Sequence, residues 1–151
     1  MRKQNSLAMA GFGLAFLAFA LPSQLQADAG GSNRPFKGHA AGMITGIAPS
    51  GALVVETTGK ASHLGAFTRT ENTFIGPAGA ISGSLVFTAA NGDQLRADFS
   101  GGFTSPTTAE GTYTFTGGTG RFSGATGTAK FQATTPDLVH LTVSFEGSIT
   151  Y

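Results

Sequence analysis

The sequence predicts an all-β protein: a closed eight-stranded antiparallel barrel, preceded by an N-terminal signal peptide helix. Two observations carry this. From Phe36 onward apolar residues fall at every second position instead of every third or fourth, the period of a half-buried strand. Breaks rich in Gly, Pro and Asn then divide the region into about eight such stretches, the number at which a small antiparallel sheet escapes its open edges by closing on itself. A two-sheet sandwich is the nearest rival. A stacked solenoid is not supported, because no fixed period realigns the segments.

The N-terminus comes first. Arg2 and Lys3 precede an apolar or glycine stretch from Leu7 to Leu21, followed by Pro22, Ser23 and Gln24. That is the three-part layout of a secretory signal, and the stretch is shorter than the roughly 18–20 residues of a permanent membrane helix. Small residues suit cleavage after Ala27 or after Ala29. The expected organisation is therefore a signal over 1–27, a flexible Gly/Ser leader over 28–35 and one β-barrel domain over 36–151. With cleavage after Ala27, loss of Arg2 and Lys3 leaves seven basic against eight acidic residues, so the apparent net charge of +1 becomes −1. Such a balance lacks the clustered cations that hold phosphates, which argues against nucleic acid and against an anionic membrane surface as partners. With no cysteine, the exported chain has no disulfides and must rest on core burial.

Strands are expected near 37–48, 51–59, 61–70, 80–89, 94–104, 110–116, 126–134 and 138–150. The last is the clearest: Val139, Leu141, Val143, Phe145, Gly147, Ile149 and Tyr151 alternate with His140, Thr142, Ser144, Glu146, Ser148 and Thr150. Asn91-Gly92 marks a tight hairpin, because both residues tolerate positive φ. Pro49-Ser50-Gly51, Pro77-Ala78-Gly79 and Pro136-Asp137 mark further turns. Gly83, Gly101 and Gly102 permit the bends that closure demands.

The glycine-rich stretch from Gly117 to Gly127 joins two expected strands. It is no dinucleotide fingerprint, since the frame starting at Gly118 lacks its final glycine and no helix follows. It resembles the Gly-Gly-Thr-Gly-x-Phe-x-x-Ala-x-Gly turn of the allene oxide cyclase and dirigent barrel superfamily, in its bacterial, exported, barrel-only form. The stretches Gly59 to Thr68 and Phe87 to Asp93 look like recurring pieces of the same chains. The resemblance implies an eight-stranded barrel with an apolar lumen, often trimeric in plant members, which guide cyclisation of a fatty-acid epoxide or coupling of phenoxy radicals. Their acidic catalytic residues have no placed counterpart here, so those activities do not transfer.

Candidate site residues are few. His63, read as sharing a face with Phe67 and Arg69, is the one candidate acid or base, set against a structural histidine at a strand end. Phe67, Arg69, Phe99, Phe115 and Phe145 are candidate ligand contacts if the apolar faces line a lumen. Arg96, Asp98, His140 and Glu146 are expected on the solvated exterior, and Arg121 over its own turn. His39, His63 and His140 lack metal-ligand spacing, so no metal is expected, nor any cofactor. The functional expectation is an exported barrel that holds an apolar small molecule, non-enzymatic unless it steers a cofactor-free cyclisation or isomerisation. A scaffold for surface contacts is the alternative. A further one is an outer-membrane barrel, suggested by the alternating C-terminal strand that ends in Tyr151 and opposed by the scarcity of Trp and Tyr.

Overall fold

Eight strands hydrogen-bond in chain order, each antiparallel to the next, and the first returns to the last to close one barrel. The computed structural model describes residues 31–151. The expected signal peptide helix and its two cleavage positions fall within residues 1–30, outside the described residues. The strands are β1 (Arg34–Ile47), β2 (Leu53–Ala61), β3 (Gly65–Ile75), β4 (Ala80–Ala89), β5 (Gln94–Ser105), β6 (Thr108–Gly118), β7 (Thr126–Thr134) and β8 (His140–Thr150). A single closed sheet excludes the sandwich. β1 begins at Arg34, so the last two residues of the expected leader pair with β8, and β3 runs five residues past its expected end.

Alternation becomes an inside and an outside. Phe36, Phe67, Phe87, Phe99, Phe115, Phe131 and Phe145 all point inward and are buried, joined by Tyr113, Leu85, Leu95, Val143 and Ile149. Each fully buried ring of this kind contributes roughly 1.5–3 kcal/mol by leaving water. The rings interlock: Phe36 stacks on Phe145 at 5.4 Å, Tyr113 stacks on Phe131 at 4.6 Å, and Phe67 meets Phe87 edge-on at 5.1 Å.

Several inward glycines serve space rather than flexibility. Gly38, Gly83 and Gly111 are the register partners of Phe145, Phe99 and Phe131. A Cβ on Gly38 or Gly111 would stand 2.7 Å from the opposing ring, and one on Gly83 2.9 Å. Each phenylalanine thus lies over the glycine across from it, an arrangement that lets large rings fill a narrow barrel.

The two ends differ. One carries the start of β1, the β2–β3, β4–β5 and β6–β7 connections and Tyr151. There a short 3-10 turn (Gly120–Phe122) drives Phe122 fully inside, with Leu64 and Ala125 buried beside it. The other carries the β1–β2, β3–β4, β5–β6 and β7–β8 connections. Around it Ile47, Ile75, Leu138 and Val139 are exposed, with Met43 and Phe74 on the adjoining outer wall. The first is the closed end and the second the open end.

Candidate functional site

The open end leads to a row of polar groups that the strand period places inside the barrel. β3 turns Phe67, Arg69, Glu71 and Thr73 inward at successive alternate positions, and all four are buried. Next to them β2 turns Leu53, Val55 and Thr57 inward, in register as Leu53 with Thr73, Val55 with Glu71 and Thr57 with Arg69.

Arg69 is the centre of the row. Its Nη2 pairs with Glu71 Oε2 at 2.7 Å, and its Nη1 donates to the Tyr113 hydroxyl at 2.8 Å from β6. Thr73 Oγ1 donates to the other Glu71 oxygen at 2.6 Å. The guanidinium lies 5.9 Å from the centres of both the Phe87 and Tyr113 rings. Burial opposes its charge, but Tyr113 and Glu71 outweigh that, and the arginine pKa is raised. Burial pushes the Tyr113 phenol up to about 12, against the pull of Arg69. Tyr113 is thus a neutral phenol that accepts from Arg69 and keeps its own proton to give.

Above this row is the mouth. A depression of about 500 Å³ is lined by Ile44, Ile47, Leu53, Ile75, Phe103 and Leu138, with Thr45, Gly46 and Thr135 completing it. Leu138 holds a positive φ of 60°. Asp137 Oδ1 fixes that turn by accepting from the Val139 and His140 amides at 3.0 and 2.7 Å. Asp137 Oδ2 meets His140 Nδ1 at 2.6 Å, and these bonds hold the carboxyl well below its usual range.

The expected site residues separate into two groups. Phe67, Phe99, Phe115 and Phe145 are between 3 and 5 % exposed and locked in the ring stack, so they are core rather than a free lining. Arg69 does belong to the polar row. His63 does not lie on the face of Phe67 and Arg69: it sits in the β2–β3 turn at the closed end, with φ 66°. There its Nε2 donates to the Pro35 carbonyl at 2.9 Å and its Nδ1 accepts from the Tyr151 hydroxyl at 3.1 Å. Arg121 folds back over the Phe122 ring and donates to the His63 carbonyl at 2.6 Å, with Asp93 at 3.5 Å. Among the described residues no three His, Asp or Glu side chains converge.

Glu71, Thr73, Thr57 and Tyr113 went unread as site residues. The signal was present: Phe67, Arg69, Glu71 and Thr73 keep one parity. Glu71 and Thr73 lie past the expected end of the third strand at Thr70, whereas Thr57 and Tyr113 fall inside expected strands with nothing in their spacing to mark them.

No family model and no curated protein matches the chain. Among solved structures it is similar to the pterocarpan synthase dirigent protein GePTS1, with a TM-score of 0.57 and 14 % identity over 91 % of this chain and 99 % of that one. At that identity the likeness concerns the fold: this chain has a dirigent-like β-barrel.

Proposed function

We propose that the protein is an exported, water-facing barrel that binds an apolar small molecule at the open end. The observation that carries this is the ion pair of Arg69 and Glu71 buried beneath an exposed apolar mouth. Taking both charges out of water costs several kcal/mol per ion, and apolar residues of similar volume often hold a core as well or better. A charged pair under an apolar opening fits orientation of a ligand better than it fits packing.

The tightly filled aromatic layers confine the proposed site to the mouth and the polar row beneath it. The outer wall supports a water-facing barrel over the membrane alternative: one cross-strand row runs Thr134, Thr142, Ala41, Thr58, Thr68 and Thr88, where a lipid-facing band needs apolar residues. Export rests on the N-terminal sequence. A finer form of the reading is cofactor-free steering of a cyclisation or isomerisation. It draws on the neighbour described as a pterocarpan synthase, and on Glu71 as a proton acceptor beside Tyr113 as a proton donor.

Titration with the neutral apolar dye N-phenyl-1-naphthylamine tests binding. Saturable fluorescence enhancement is expected, lost in the Ile47→Lys/Ile75→Lys variant, which charges the rim and leaves the core intact. Equal enhancement in both proteins, or none in either, contradicts the reading and favours a scaffold. Native mass spectrometry of the same samples reads the homo-oligomer, a trimer if the resemblance holds.

A further inference from the structure

Resting on this binding reading, we propose that the ligand presents a neutral carbonyl oxygen to two unpartnered donors inside the barrel, Arg69 Nε and Thr57 Oγ1. Among the described residues three buried side-chain polar atoms lack a hydrogen-bond partner: these two and Thr135 Oγ1. Two of the three belong to residues directly opposite each other in the β2–β3 register, and the third lines the mouth. Arg69 and Thr57 are 2 and 3 % exposed, so solvent does not satisfy them. A buried donor without an acceptor is costly, more so on a charged group, and two in one spot mark a place for an oxygen.

Charge selects the kind of oxygen. The Arg69 guanidinium already faces the Glu71 carboxylate, so the row is neutral as it stands. A ligand carboxylate would bring an uncompensated negative charge into a buried site beside Glu71, whereas a ketone, aldehyde, ester or amide oxygen accepts both donors and adds no charge. Depth selects the shape. Thr57 lies four residues below Leu53 on the inward face of β2, about 13 Å at the usual rise. A ligand that makes that descent is slender and extended, with its tail toward Ile44, Leu53 and Phe103. The Val55 and Glu71 side chains stand between the mouth and the donors and must part to admit it, so the test reads Arg69 directly.

The ¹⁵N-labelled protein is titrated with 2-octanone, octanoate and 1-octene, following the Arg69 Nε–H resonance and the amides of the mouth. The expected result is that 2-octanone moves the Nε–H resonance and binds about tenfold more tightly than 1-octene, the value of one to two net hydrogen bonds. Thr57→Val, which preserves shape, is expected to erase most of that preference and leave 1-octene binding unchanged. Thr57→Ser is expected to keep it. Equal binding of 2-octanone and 1-octene, or an Nε–H resonance that stays still while mouth amides move, overturns the carbonyl assignment and leaves mouth binding standing. Octanoate binding more tightly than 2-octanone overturns the choice of a neutral oxygen. If none of the three perturbs the mouth, the binding reading falls and this inference with it.

Discussion

The two ends of the barrel are built from the same kind of strand and finished in opposite ways. At the closed end the loops supply apolar plugs, Phe122 and Leu64, and polar clasps that join distant parts of the chain: His63 to Pro35 and Tyr151, Arg121 to His63, Arg34 to Tyr151. At the open end apolar side chains stay in water, the Asp137–His140 contact is local to one turn, and the interior beneath holds the Arg69–Glu71 pair among the rings. The open end keeps exposed apolar surface and a buried ion pair, both features that stability alone disfavours.

The strongest way to break this contrast is to remove one half of the buried pair. Arg69→Met leaves the Glu71 carboxylate stranded and is expected to destabilise the fold by about 3–5 kcal/mol in urea denaturation. The double change Arg69→Met/Glu71→Leu is expected to restore or exceed wild-type stability while abolishing dye binding. A double variant as unstable as the single one would make the pair a structural requirement and remove the argument for function. At the closed end Phe122→Ala is expected to cost a similar 3–5 kcal/mol with dye binding retained.

Alkaline pH separates the ends next. The Tyr113 phenol keeps its proton to about pH 12 in the fold, against 10.0 for its ordinary value. Below pH 10 its contribution is fully present. As pH rises from 10 to 12 the unfolded chain ionises first, and stability falls by an amount on the order of 2–3 kcal/mol. Denaturation midpoints across that window check this, and Tyr113→Phe should flatten the step.

Smaller effects sharpen the comparison. Thr57→Val removes an unpartnered hydroxyl and is expected to stabilise the protein by about 1 kcal/mol. His63 and Leu138 hold nearly the same left-handed backbone, φ 66° and 60°, at opposite ends. Leu138→Gly relieves that conformation and is expected to stabilise by about 0.5–1 kcal/mol. His63→Gly gains the same relief but loses both ring hydrogen bonds, and the expected net is a loss of about 1 kcal/mol. Thermal denaturation of the pair reads the difference, and equal signs would deny that the closed-end clasp matters.

Much of the fold was legible because its main determinant is local. Alternation from Val139 to Tyr151 and the turn residues Asn91-Gly92 act within a few residues, and β8 and the β4–β5 hairpin follow them closely. Closure was legible only as a count, since the pairing of β1 with β8 joins residues as far apart as Arg34 and Ile149, at opposite ends of the barrel domain. The site was harder. Arg69 was readable as an inward position, but its partner Tyr113 arrives from three strands away, and Glu71 lay past the expected end of β3. His63 was assigned by parity to the wrong place because the β2–β3 turn, with its positive φ, breaks the alternation before β3 begins.

The most direct test of the central claim is a backbone amide chemical-shift map of the labelled barrel titrated with N-phenyl-1-naphthylamine. The account predicts saturable shifts centred on Ile44, Leu53, Thr73, Phe103 and Leu138, around the open end. Shifts centred on His63, Phe122 and Tyr151, or spread over the threonine row of the outer wall, would contradict it.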